Sequence, residues 1–214
     1  MSPAHICALL SRDKCRRFVT FPNRRAILCE TSSLVMEAAT SSDDFSDSQI
    51  RRSIWHHTTT SVGLVTSVLD GKPNVMACEW SMQVSINPPR FLIVIGKRKA
   101  TAEYISKTGE FGLTFASDAQ AELCHVAGSF TGYEYDKIAT NTFSLRNGHK
   151  IKAPIVTDGI LSVECKVIRT FELDERFIFI GEVLFAEWRN DKSPILYHAG
   201  NYFQVGEKVP KPQK

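Results

Sequence analysis

Three cations stand side by side at Lys97, Arg98 and Lys99, with Thr101 two residues further on. They follow RFLIVIG (residues 90–96), an apolar run of strand length, and precede TAEYISKT, a helix-like segment. Helix N-termini expose unpaired N–H groups and carry partial positive charge. A helix that opens beside three cations can therefore hold a phosphate through charge-assisted hydrogen bonds. A solvated turn of cations is the competing reading of this stretch taken alone. Upstream, Glu79, Trp80, Ser81, Met82 and Gln83 break the alternation of an ordinary half-buried strand. Trp and Met beside Ser and Gln offer apolar faces and hydrogen bonds together, which a flat heteroaromatic ring requires. Pro88 and Pro89 cannot donate ladder bonds, so the strand ends or bends there.

Other reactive residues carry less. Cys124-His125 is a thiol beside a base, but no acid or oxyanion loop at useful spacing accompanies it. His56-His57 lacks metal-ligand partners. GSFTG (residues 128–132) does not follow a strand, so it is no dinucleotide fingerprint, although it could lie over a site as a lid. None of the six cysteines, at 7, 15, 29, 78, 124 and 165, forms a C-x-x-C pair. No metal site is expected. The cysteines read as reduced thiols, with Cys78 and Cys165 as small buried hydrophobes.

The elements that must position these residues are short. SVGLVTSVLD (61–70) reads as a strand ending in an Asp70-Gly71 hairpin turn. NVMACEWSMQVSI (74–86) reads as a second strand and RFLIVIG as a third. A helix over 101–109 stops at Gly109, and EFGLTFAS returns to strand. Ser117-Asp118-Ala119-Gln120 is a capping box opening a helix through about Val126. Residues 128–150 are loop-rich. Two long strands, 160–173 and 177–189, join through a tight turn at Asp174, Glu175 and Arg176, and 193–206 closes the chain. Seven or so sequential strands with two short helices predict a mainly β, antiparallel, nearly closed barrel.

The chain divides into residues 1–50 and 51–214. AATSSDDFSDS (38–48) is Ser/Asp-rich, and residues 1–29 hold six Lys/Arg with Asp13 as the one acid. An organellar transit peptide and an upstream extension with no fold of its own both fit, and the second is the expectation. Of 214 residues, 43% are hydrophobic and 23% charged, as in an ordinary globular protein. No apolar run approaches the ~20 residues that span a bilayer. No secretory signal is visible, so a cytoplasmic location is expected. Residues 51–100 carry seven Lys/Arg against two Asp/Glu, while the rest of the chain nets −2. That supports one local anion site and not an extended nucleic-acid surface.

From 61 to 206 the order and spacing of VGLVTSVLDGKPNVMACEWSMQVSINPPRFLIVIGKRKAT, EFGLTFAS, KAPIV, FIGEV and LYHAGNYF resemble the flavin reductase-like family, the FMN-binding split barrels that include flavoredoxin. The resemblance implies an antiparallel FMN-binding split β-barrel with short helices, a homodimer with the flavin at the subunit interface, and FMN as cofactor. It implies oxidoreductase activity: either NAD(P)H reduces the flavin, or electrons are relayed to a redox partner protein. Carried over by position, it implies that Glu79, Trp80, Ser81, Met82, Gln83, Ser85 and Asn87 edge the isoalloxazine ring. Lys97, Arg98, Lys99 and Thr101 would hold the phosphate. His198 lies in a segment that approaches the flavin, and a rim histidine bound to backbone is the alternative. Many NADH-using members carry Gly-Asp-His ahead of the FIGEV strand. This chain has Leu173, Asp174, Glu175 and Arg176 instead, so slow direct NAD(P)H oxidation is expected, with Arg176 a solvated turn residue. The rival reading, a small barrel that binds single-stranded nucleic acid, would stack bases on Trp80 and Phe91 beside the cations.

Overall fold

The computed structural model describes residues 40–140 and 142–212. From Asp44 onward the chain is one compact unit. The expectations for residues 1–39, a targeting or unfolded extension and thiols at Cys7, Cys15 and Cys29, lie outside the described residues.

Helix α1 (Ser48–His56) starts where the Asp47 carboxylate accepts the Gln49 N–H at 2.7 Å. The expected division after residue 50 therefore falls inside a helix. Strand β1 (Thr59–Ser61) follows, then β2 (Gly63–Leu69) and β3 (Lys72–Cys78), joined through Asp70 and Gly71 at φ 51° and 75°. Next come β4 (Ser81–Ile86), β5 (Pro89–Gly96), α2 (Ala100–Thr108) and β6 (Glu110–Phe115). Gly109 ends α2 in the left-handed conformation at φ 70°. The Ser117–Gln120 capping box is formed and opens a short 3₁₀ turn into α3 (Ala121–Ser129). The short pair β7 (Leu145–Arg146) and β8 (Ile155–Val156) precedes the long hairpin β9 (Leu161–Leu173) and β10 (Arg176–Trp188). A last hairpin, β11 (Ile195–His198) and β12 (Asn201–Gln204), pairs with β1.

Seven strands form one antiparallel sheet in the order β3-β2-β6-β9-β10-β5-β4. Its inner face makes a single core. Val65, Phe91, Ile93, Ile95, Phe111, Val163 and Phe179 converge there, with Ala102 and Ile105 of α2 closing one end. A second apolar layer lies outside β2 and β3, where Leu64 and Val75 meet Cys124 and Ala127 of α3 and Ile195 of β11. The mainly β barrel expected from sequence is present.

One strand differs from expectation. Residues 74–86 are two strands, because β3 pairs only with β2 and β4 only with β5. These are the two edges of the sheet, and the chain crosses from one to the other at Glu79-Trp80. The Ser81 hydroxyl clips the crossing by donating to the Cys78 carbonyl at 3.2 Å. The sheet thus rolls up with a seam that the chain crosses at this two-residue bridge and that the Cys78 thiol also spans, donating to the Val94 carbonyl at 3.6 Å; the broken alternation at Glu79 to Gln83 is its sequence trace.

Candidate functional site

A pocket of about 970 Å³ opens along that seam. Trp55 of α1, Glu79 and Trp80 of the crossing, and Arg176 at the start of β10 form one wall. The Trp55 indole donates to the Glu79 carboxylate at 2.7 Å and tilts against Tyr197, centroids 6.3 Å apart. Arg176 lays its guanidinium 4.2 Å from the Trp80 ring centroid, so it is a stacked wall residue and not the solvated turn residue expected. Burial raises the Glu79 carboxyl above the ordinary range, with the Trp55 hydrogen bond and the Arg176 charge pulling the other way. Cys124 and His125 of α3 and Tyr202 of β12 also line the pocket. Burial pushes both pocket thiols, Cys78 and Cys124, up to about 12, so they are neutral and apolar at neutral pH. Cys78, Cys124 and Cys165 are all buried and free.

A small recess of about 60 Å³ adjoins this pocket, and Met76, Ala77 and Gly128 line both. Lys99, at the start of α2, borders it without capping the helix through its side chain. Thr101 is buried and accepts from the Asn74 amide at 2.7 Å. Lys137 reaches in from the loop after α3, and Gly132 lies so close that a Cβ there would sit 2.5 Å from Asn74 Oδ1. The GSFTG loop thus packs beside both cavities.

The structure sorts the sequence-derived site residues into groups. Glu79 and Trp80 face the large pocket; Lys99 and Thr101 face the recess. Ser81 is buried in the seam, while Met82, Gln83, Ser85 and Asn87 run along the outer edge strand and its turn, away from the pocket. Lys97 turns outward to pair with Glu172 beside the Phe177 ring, and Arg98 is exposed. His198 has Nδ1 2.9 Å from Thr59 Oγ1 and 3.2 Å from the Thr58 carbonyl, the rim arrangement with a backbone partner. Among the described residues no group of three His, Cys, Asp or Glu side chains could hold a metal. Phe91, which the nucleic-acid reading needs on the surface, is 5% exposed in the barrel core.

Residues 55–206 match the model of the flavin reductase like domain. The chain belongs to the flavin reductase-like family. A flavin reductase of Pseudomonas putida is 26% identical over 157 residues, 73% of this chain and 89% of that one. An uncharacterized protein of Archaeoglobus fulgidus is 27% identical over 113 residues; the match covers 53% of this chain and 64% of that relative's length. The NADH:FAD oxidoreductase SgcE6 of Streptomyces globisporus shares the fold, with a TM-score of 0.72 at 22% identity over 79% of this chain and 99% of that one.

Several residues of this site are not apparent from the sequence motifs. Trp55 and its helix left a readable signal, since Asp47 ahead of SQIRRSIW is an N-cap pattern. Lys137 and Asn74 left none, because their role depends on the loop after α3 folding back against β3.

Proposed function

We propose that the protein binds a flavin nucleotide, FMN in the first instance, and passes electrons through it. The observation that carries this reading is the joining of two unlike spaces. One is a large pocket with an aromatic and guanidinium wall; the other is a small cation-lined recess. FMN has the same asymmetry, a flat ring at one end and a phosphate at the other. Trp80, Glu79 and Arg176 would hold the ring end, and Lys99, Thr101 and the first N–H groups of α2 the phosphate end. Bound flavin supplies the redox chemistry, while these side chains set its position and exclude water.

A nicotinamide dinucleotide is the proposed electron donor. Arg51, Arg52 and Arg176 all line the pocket, and their charge suits a ligand carrying several phosphates. A second reading, an electron carrier serving a protein partner, is favoured by the residues at 173–176 standing where Gly-Asp-His occurs in many NADH-using members. Anaerobic stopped-flow mixing with NADH or NADPH separates them: bleaching of bound flavin within seconds supports the reductase, and bleaching by dithionite alone supports the carrier. In the reductase case Arg176→Ala is expected to raise the KM for the dinucleotide about tenfold with kcat nearly unchanged, as for loss of one charged contact. An unchanged KM removes Arg176 from donor binding.

The same proposal includes a homodimer. The outer face of the sheet carries cross-strand rows Phe171–Ile178–Val94 and Ile180–Leu92–Met82, with Phe171 53% and Met82 58% exposed. A contiguous exposed apolar face of this kind marks an association surface. Phe171→Asp with Met82→Asp is expected to shift the mass measured by light scattering from dimer to monomer. A wild-type monomer would refute it. No helix among the described residues is long and apolar enough to cross a membrane. A cytoplasmic setting, with Cys78, Cys124 and Cys165 reduced, belongs to the proposal as well.

A further inference from the structure

The recess contains a lysine that the motifs do not single out. Lys137 is 3% exposed. Its ammonium donates to the carbonyls of Phe130 at 3.0 Å and Ala127 at 3.3 Å. Among the described residues no carboxylate pairs with it, and the charged group that acts on it is a second cation, Lys99. A buried ammonium without a counter-charge is an unfavourable arrangement. Burial, with the Lys99 charge adding, pushes the Lys137 amine down to about 8.

The surroundings point the same way. Ala100 and Thr101 open α2 at the recess, and their N–H groups have no acceptor among the described residues. Asn74 holds the Thr101 hydroxyl in place at 2.7 Å. Lys137, Lys99 and the first two residues of α2, whose N–H groups are unpaired, thus line one small space that, among the described residues, no acidic residue lines. By contrast Lys97 is already paired with Glu172.

We infer that Lys137 is the buried counter-charge for the phosphate of the bound flavin nucleotide, acting with Lys99 and the start of α2, and that it sets the preference for phosphorylated over unphosphorylated flavin. The inference rests on the flavin reading above. Lys97 and Arg98, which the cation run in the sequence suggests, are peripheral to it. The Ala127 and Phe130 carbonyls tie Lys137 to the recess, so its ammonium is in place before a phosphate binds.

The test is a titration of wild type, Lys137→Met and Lys137→Arg with FMN and with riboflavin. Methionine keeps the length and apolar stem of lysine in a buried position, and a thermal melt checks that the variant is folded. Lys137→Met is expected to weaken FMN binding about ten- to a hundredfold, the loss of one charge-assisted contact, and to leave riboflavin within about threefold. Lys137→Arg is expected to keep most of the FMN preference. An FMN affinity in folded Lys137→Met within twofold of wild type overturns the inference, as does an equal loss for both flavins. Inorganic phosphate separates the site from the flavin reading. If wild type binds neither flavin, the flavin reading fails, and phosphate raising the melting temperature of wild type but not of Lys137→Met still supports an anion site at Lys137. Equal phosphate shifts in the two proteins overturn it.

Discussion

Arg146→Met is expected to destabilise the protein by about 3–5 kcal/mol, the usual cost of stripping a partner from a buried charge. Glu164 of β9 is fully buried, facing out of the barrel core under the loop that carries β7. Its carboxylate accepts from the Arg146 guanidinium at 2.9 Å and from the His149 and Lys150 N–H groups at 2.9 Å and 2.6 Å. Arg146 also holds Glu187 of β10 at 3.0 Å and lies over Phe185. Burial alone would raise the Glu164 pKa, but the two N–H groups and Arg146 bring it below the ordinary carboxylate value. A lowered folded-state pKa stabilises above the unfolded value, and that contribution is lost as pH falls through the folded value. Arg146→Met should therefore lose stability at pH 7 and flatten the acid limb of the stability curve. Thermal melts should show a fall of roughly 6–20 °C for a domain of this size. A change under 1 kcal/mol would mean that the N–H groups suffice to hold Glu164.

FMN is expected to bind at least about a hundredfold more tightly than riboflavin. Two or three charge-assisted hydrogen bonds end on the phosphate in the proposed arrangement, each worth ~1.5–3 kcal/mol, and each 1.4 kcal/mol is a factor of ten. The donors are in place before the ligand arrives: Asn74 fixes Thr101, the Ala127 and Phe130 carbonyls fix Lys137, and α2 fixes its own first amides. Little ordering then remains to offset the gain. Equal affinities for the two flavins would show that the recess does not hold the phosphate.

Local rules carried much of the fold. Asp70-Gly71, the Ser117–Gln120 box and Gly109 each act within four residues, and all three sit where their chemistry demands. The cut at Glu79-Trp80 was not legible, because it depends on which neighbours β3 and β4 take at opposite edges of the sheet. The site was readable in proportion to its locality. Trp80 and Glu79 stood out by breaking a pattern. Among the adjacent cations, the sequence could not distinguish Lys99, which faces the recess, from Lys97, which turns to Glu172 some 75 positions away. Lys137 was silent: one lysine in a polar loop looks solvated until the loop is seen to bury it.

The central claim, a flavin nucleotide in the seam pocket, is tested most directly by titrating the flavin-free protein with FMN while following tryptophan emission. Trp55 and Trp80 line the pocket, and Trp188 is a 67% exposed reference at the end of β10. The account predicts saturable quenching at one FMN per chain, a yellow protein that keeps its colour through gel filtration, and most of the quenching lost in a folded Trp55→Phe, Trp80→Phe double variant. Emission unchanged by FMN up to about a hundred micromolar, a range that covers ordinary cofactor affinities, together with a colourless protein fraction, would contradict it.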